Sequence, residues 1–187
     1  MENVGGVKND NGDLENFNMT LKYAITGHTY GIGEALYNKL MPAAIGFSKS
    51  SGYDITKYDV RQRIIHEVHD CDVFINNAPA GFGQSEMCLE LWHVWRNQPK
   101  VIINVGSRIA EDHVVLDDNY THLLEYSMHK RTLRTLSNDL CKIPTTLQVK
   151  YKWFAYVGTT KILKKYPHFT EKDYISINDA VEIILSD

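Results

Sequence analysis

The sequence predicts a single α/β domain, a doubly wound parallel sheet with helices on both faces in three α/β/α layers. Three observations carry this reading. Short β-branched runs alternate with segments of helical periodicity, the runs are apolar along most of their length, and a cluster of glycines joins the first run to the first helix. Alternation of this kind implies βαβ units, and strands apolar on both sides suit a sheet covered on both faces. The chain has 187 residues, below the roughly 250 at which single cores divide, so residues 19–187 are expected to form one domain.

Residues 1–18 are rich in Asn, Gly, Asp and Glu and poor in large apolar side chains, so a mobile tail is expected there, and Met19 could serve as an alternative start. Residues 21–25 read as the first strand, ending at Thr26-Gly27. Ile32, Ala35, Leu36, Lys39 and Leu40 then follow helical spacing up to Pro42. Residues 43–47 form the second predicted strand, and Val60, Ile64, Ile65 and Val68 mark the second helix. A third strand at residues 73–75 leads to a helix over 89–95, whose Trp92 and Trp95 read as core or interface residues. Val101 to Val105 is a fourth strand, and an irregular acidic stretch covers 111–119. A long helix is expected over 121–140, then a strand over 147–157 and a last helix over 177–185 capped by Ser176 or Asn178.

Composition narrows the function. The net charge of −3 provides no broad positive field for a nucleic-acid backbone, which favours a small-molecule ligand. No apolar run reaches the roughly 18 residues of a membrane span, and the N-terminus lacks a signal-peptide pattern. Cys71, Cys88 and Cys141 lack the spacing of a zinc site or disulfide framework and read as buried thiols of a reducing compartment, so the cytoplasm is expected. His28, His113, His122 and His129 form no spaced set with acids, and no metal is expected.

The stretch Thr26-Gly27-His28-Thr29-Tyr30-Gly31-Ile32-Gly33 follows a strand and opens a helix, the setting in which glycines mark a dinucleotide-binding loop. Gly27 and Gly31 would permit a tight turn and close approach of a pyrophosphate, and Gly33 would let helix and strand pack. The helix N-terminus offers free N–H groups to the anion, with Thr29, Tyr30 and Ile32 beside it. Three further patterns come in order: Asn76-Asn77-Ala78 after the third strand, Ser107 after the fourth, and Tyr126 with Lys130 four residues apart on one helical face. Each is common alone; it is their conjunction, every one on the element where it belongs, that carries weight.

Together these motifs resemble the short-chain dehydrogenases/reductases over residues 20–185, with the TGxxxGxG loop, an NNAG segment in which Pro79 replaces the glycine, the serine, and YxxxK. Gly158-Thr159-Thr160 is similar to the family's segment over the nicotinamide, with Val157 in place of its proline. The resemblance implies a Rossmann-type fold, with Ser107, Tyr126 and Lys130 as the catalytic set. Asn77, Ala78, Gly158 and Thr160 are then implied to contact a nicotinamide cofactor, and Lys130 to bind its ribose. Hydride transfer to a carbonyl builds charge on oxygen, which needs a proton donor, Tyr126, and a hydrogen-bond donor, Ser107. An ammonium about 4 Å from the phenol, at an effective dielectric of about 20, favours phenolate by up to about 4 kcal/mol. Lys130 is therefore expected to lower the Tyr126 pKa.

Where an acid would accept the adenosine ribose of NAD, the second strand ends in Ser48-Lys49-Ser50, which suits a 2′-phosphate and favours NADP(H) over NAD(H). Asp54-Ile55 resembles the family's adenine-contacting pair, with Asp59 as another candidate. The chain is short for the family. About thirty residues separate Asn77 from Ser107, so one long helix and its catalytic asparagine read as reduced or absent, Asn97 being too near the next strand. The final strand is also missing, which leaves a homo-oligomer through the usual helices open and a sheet edge to protect. The leading expectation is an NADP(H)-dependent oxidoreductase of a carbonyl/alcohol pair. The alternative is a nucleotide-binding sensor without turnover, and a sugar-nucleotide enzyme ranks last because too little C-terminal chain remains.

Overall fold

Short apolar segments separated by helices fold here into five strands, β1 (Tyr23–Thr26), β2 (Ala44–Phe47), β3 (Val73–Asn76), β4 (Val101–Val105) and β5 (Gln148–Lys152). The computed structural model describes residues 20–111 and 123–186. The expected N-terminal tail, most of the expected acidic stretch and the expected helical residues 121 and 122 lie outside the described residues. The strands form one sheet in the order β2-β1-β3-β4-β5, parallel at every pairing. The doubly wound α/β class is thereby borne out. The order corresponds to the six-stranded 3-2-1-4-5-6 arrangement without its outermost strand beyond β2, and it reverses between β1 and β3, where a ligand crevice is expected at the carboxyl ends.

Among the described residues the helices are α1 (Gly31–Leu40), α2 (Tyr58–Glu67), α3 (Gly83–Trp95), α4 (Leu124–Leu140), α5 (Thr160–Lys165) and α6 (Ile177–Leu185), with 3-10 turns at Lys49–Ser51 and Arg108–Ala110. One core packs Ile25, Ile75 and Ile103 of the strands against Leu36 of α1 and Ala180, Val181 and Ile184 of α6. The other packs Phe74 and Ile102 against Ile64 of α2, Leu91 and Trp95 of α3, and Leu133 of α4. Wholly burying such a side chain contributes about 1.5–3 kcal/mol, which is why strands of four or five residues suffice. No described helix is long and apolar enough to cross a membrane.

Several elements differ from the sequence reading. Helix α3 starts at Gly83, because a glycine there lets the helix lie on the Ile55 carbonyl, where a Cβ would come within 2.5 Å. Its first turn also buries Gln84 and Ser85, polar residues that conceal the helical face. Of the two readings for the helix between Asn77 and Ser107, reduced or absent, absence is thereby excluded, since α3 has 13 residues. Strand β5 ends at Lys152, since Phe154 and Val157 turn into the α1/α6 core and Val157 makes only a single bridge to Ile175. Helix α5 was not anticipated; Thr159 caps it by accepting the Ile162 N–H. Ser176, and not Asn178, caps α6. Cys71 and Cys88 are buried, but Cys141 is exposed at the end of α4. No strand follows β5 among the described residues, and its open edge carries Lys150 and Lys152, charges that discourage edge pairing.

Candidate active site

The glycine loop sits at the point where the sheet order reverses. Gly27 (φ 75°) and Gly31 (φ 58°) occupy left-handed backbone that favours glycine, and a Cβ on Gly33 would collide with the Gly27 carbonyl. Tyr30 stands at the N-cap of α1 without a capping side-chain bond, so its side chain leaves the first-turn N–H groups to an anion. Ile32 turns into the α1/α6 core. The Thr26 hydroxyl accepts the Asn77 N–H at 2.9 Å and the Ala78 N–H at 3.0 Å, and Asn77 Nδ2 donates to the Thr26 carbonyl at 3.1 Å. Asn77 and Ala78 therefore tie β3 to β1 under the loop.

Beyond β2, the Ser48 hydroxyl bonds those of Ser50 and Ser51 at 2.9 Å, and Thr29 Oγ1 reaches Ser50 Oγ at 3.2 Å, joining the glycine loop to this turn. Lys49 pairs with Asp54 at 3.0 Å; the lysine side chain is 82% exposed and the carboxylate 19%. Bonds from Thr56, then from Lys49, hold the Asp54 carboxyl at about 2. Ile55 is a core residue whose carbonyl accepts from Arg61 at 3.0 Å, and Asp59 lies in the first turn of α2.

After β5 the chain runs back over the glycine loop. The Lys161 N–H donates to the Tyr30 hydroxyl at 3.0 Å, and Thr159 faces Gly31. Gly158 accommodates the Tyr174 ring, and Thr160 opens α5. Tyr30, Gly31, Glu34, Thr159 and Thr160 line a cleft of about 220 Å³ between the two segments.

The structure brings Ser107, Tyr126 and Lys130 together. Ser107 leaves the carboxyl end of β4 close to Tyr126 in the first turn of α4, near enough for its hydroxyl to favour the ionised phenol. Lys130, one turn on, is 4% exposed and donates to Gln84 Oε1 at 2.8 Å and to the Val105 carbonyl at 2.9 Å. The expected lowering of the Tyr126 pKa is not found. Partial burial raises the phenol of this 38% exposed residue, the nearby Ser107 hydroxyl opposes that rise, and Lys130 contributes nothing to it. Its Nζ lies 5.8 Å from the ring centre, and burial has lowered the ammonium itself to about 8.

Of the polar residues beneath this set, sequence reasoning named Asn76 as part of a motif and missed Gln84, Asn104 and Ser137. Gln84 Nε2 donates to the Asn76 carbonyl at 2.7 Å and the Val105 carbonyl at 3.2 Å. Asn76 Nδ2 donates to Asn104 Oδ1 at 2.8 Å and the Gln84 carbonyl at 2.8 Å, and Asn104 Nδ2 to Ser137 Oγ at 2.9 Å. Asn104, a carboxamide inside an otherwise apolar strand, was the available signal. Tyr151 was missed as well: its ring lies on Gly106 beside Ser107, and burial pushes its phenol up to about 12. Among the described residues no group of three or more His, Cys, Asp or Glu side chains is placed to hold a metal.

No family model and no curated protein matches this sequence. Solved structures do match. A short-chain dehydrogenase from Burkholderia cenocepacia in complex with NADP superposes with a TM-score of 0.71 at 17% identity, covering 89% of this chain and 84% of its own. The fold is that of a short-chain dehydrogenase/reductase. The 3-alpha-hydroxysteroid dehydrogenase of a Pseudomonas species complexed with NADH gives 0.65 at 18% identity, with 87% of each chain covered. A glucose/ribitol dehydrogenase of the same class from Brucella melitensis gives 0.67 at 10%, over 88% and 87%. At these identities the likeness establishes the short-chain dehydrogenase fold, and the chemistry has to be argued from the side chains.

Proposed function

We propose that this chain is an NADP(H)-dependent oxidoreductase acting on a carbonyl/alcohol pair, with Tyr126 as general acid and base. The observation that carries this reading is the juxtaposition of Ser107, Tyr126 and Lys130, with Lys130 bonded to Gln84 and Val105 beside the Tyr126 ring, at the carboxyl edge of the sheet that also holds the glycine loop. A dinucleotide fits what is present: Gly27 and Gly31 hold the turn open, and the α1 N-terminus has no side-chain cap. Related folds solved with NADP and NADH support the same cofactor class. When bound, the nicotinamide supplies or accepts the hydride.

The residues of the chain handle the proton. A phenol raised by burial stays protonated at neutral pH, which suits Tyr126 to donate to a carbonyl oxygen and so favours reduction. Ser107 is placed to donate a second hydrogen bond to that oxygen. With its pKa at about 8, Lys130 is about tenfold more often charged than neutral at pH 7. At the adenosine end, the Lys49–Asp54 pair has its ammonium in solvent and is worth about 1 kcal/mol, so Lys49 is released to a 2′-phosphate at small cost, with Ser48 and Ser50 as further donors. A second reading, a nucleotide-binding sensor with little turnover, is favoured by Lys130 turning to Gln84 and Val105 and leaving the phenol without its support.

Thermal unfolding with NADPH, NADP, NADH and NAD tests the proposal. A ligand at about 100 times its dissociation constant stabilises the fold by about 2.7 kcal/mol. Selective stabilisation by the phosphorylated pair, lost in Lys49→Glu, is the expected result. No shift with any of the four would sink the cofactor assignment, and a shift without reduction of any member of a carbonyl panel would select the sensor.

A further inference from the structure

We infer that Gln84 is the positioning residue for Lys130: its side-chain carboxamide, fixed between β3 and β4, clamps the ammonium under the candidate active site. The inference rests on the reading of Lys130 given above, yet it concerns a residue that the motifs do not supply.

Gln84 is 2% exposed, and a carboxamide buried this deeply is stabilised when it finds partners for both its ends. It does so in one orientation only. Nε2 faces two carbonyl oxygens, those of Asn76 and Val105, and Oε1 faces the ammonium of Lys130. A flipped amide would set oxygen against two oxygens and an NH2 group against a cation. The orientation is therefore dictated by the neighbours, and with it the place of the Lys130 acceptor.

The backbone of Gln84 is tied down as well, since its own carbonyl accepts from Asn76 Nδ2, which also donates to Asn104 on β4. Asn104 in turn reaches Ser137 on α4. Lys130 and Ser137 lie on one buried stripe of α4 with Ser127, Leu133 and Leu140, so the helix is attached to the sheet at two points, one of them through Gln84. Gln84 and Val105 take two of the ammonium's three N–H donors, which leaves one for an acceptor such as a ribose hydroxyl. Without the Gln84 oxygen, a four-carbon side chain in this space would retain a single acceptor and several rotamers.

Titratable groups on the elements around Lys130 are Tyr126 on α4, Cys88 on α3 and Tyr151 on β5; the raised values of all three keep them neutral at pH 7. Burial is the only resolved cause of the lowered lysine value, with no charged neighbour opposing it. An uncharged acceptor oxygen is thus what the site provides to hold the cation.

The test is a pH titration of the Lys130 side chain by NMR in protein carrying 13Cε-labelled lysine, with Lys130→Arg identifying the resonance. It needs no cofactor, so it stands apart from the cofactor assignment. Gln84→Met, of similar length but without polar atoms, should move the midpoint down by about one pH unit, a tenfold change in the protonation equilibrium. Gln84→Glu should move it up, because a carboxylate beside an ammonium favours the charged form. A purely structural glutamine would lower the thermal midpoint in both variants and leave the titration where it was. Equal midpoints in wild type and both folded variants, or shifts of the same sign, would overturn the inference. NADPH titration of the same proteins separates the two proposals. A wild type that binds no NADPH defeats the cofactor reading while the lysine titration still decides on Gln84. About tenfold weaker NADPH binding by Gln84→Met, with Gln84→Glu closer to wild type, supports both.

Discussion

On the face covered by α1 and α6, the strands contribute Ile25, Ile75, Ile103 and Val105, and the helices answer with Leu36, Val181 and Ile184; every one of these buried side chains is apolar. On the opposite face the same strands contribute Phe74 and Ile102 but also Asn76 and Asn104, paired across β3 and β4, and α3 and α4 add Gln84, Lys130 and Ser137. The two faces carry different burdens. The first obtains stability from area removed from water, which tolerates no polar atom and asks for no particular geometry of donors. The second gives up apolar contact to build a hydrogen-bonded frame, in which each member must be satisfied or costs about 1–3 kcal/mol. That frame ends at the only buried lysine among the described residues, next to Ser107 and Tyr126.

Crossed substitutions would break this division most directly. Tyr126→Phe should lower carbonyl reduction by about 10²- to 10⁴-fold, while losing no more than about 1 kcal/mol of stability with the hydroxyl. Leu36→Ala on the apolar face should do the reverse, costing about 2–5 kcal/mol with NADPH affinity and the turnover of the folded fraction retained. Stability and turnover are read by denaturant unfolding and by oxidation of NADPH. If Leu36→Ala also abolished turnover below its unfolding transition, the two faces would be coupled and the division wrong.

A smaller effect follows from the pH dependence of the buried lysine. Lys130 falls from 10.5 to about 8 on folding, so between those values the unfolded chain binds the proton that the native protein has released, and stability rises with pH. The cost of the buried charge is present in full below pH 8 and gone above 10.5, a span of about 3 kcal/mol. Unfolding free energies of wild type and Lys130→Met, measured across that range, should converge by this amount. Parallel curves would show that the lysine is solvated in the native state.

The difference between the faces also explains what could be read beforehand. Among the described residues every strand and every helix but α5 announces itself through apolar spacing, because burial against a sheet imposes a period. The glycine loop was legible because its backbone admits only glycine at Gly27, Gly31 and Gly33. Ser107, Tyr126 and Lys130 were legible as a spacing. Their electrostatics were not: whether Lys130 approaches the phenol or turns to Gln84 depends on which acceptor lies nearer, and that acceptor comes from 46 residues earlier in the chain. The start of α3 and the end of β5 were misjudged for a related reason. Gln84 and Ser85 are polar and buried, and Phe154 and Val157 are apolar and buried outside the sheet, so polarity misleads wherever tertiary contacts choose the partner.

The smallest effect sharpens the comparison from the apolar side. Ser176 caps α6 by accepting the Asp179 N–H at 3.0 Å, while the Asp179 carboxylate accepts from the Ser176 hydroxyl at 2.7 Å and from its N–H at 3.3 Å. Helix α6 has nine residues, too short to persist on its own propensity. It stays because Ala180, Val181 and Ile184 enter the core and because its first turn is closed. Ser176→Ala opens that turn and should cost about 1 kcal/mol, read as a lower denaturant midpoint at unchanged slope. The cleft beside Gly31 is lined in part by Ile177, the first residue of this helix, so the apolar face comes nearest to the candidate cofactor site at this point. An unchanged NADPH dissociation constant in Ser176→Ala would confine the role of α6 to stability. Weaker binding in proportion to the lost stability would mean that α6 also sets the position of the segment over the glycine loop, and that the apolar face serves the site as well as the fold.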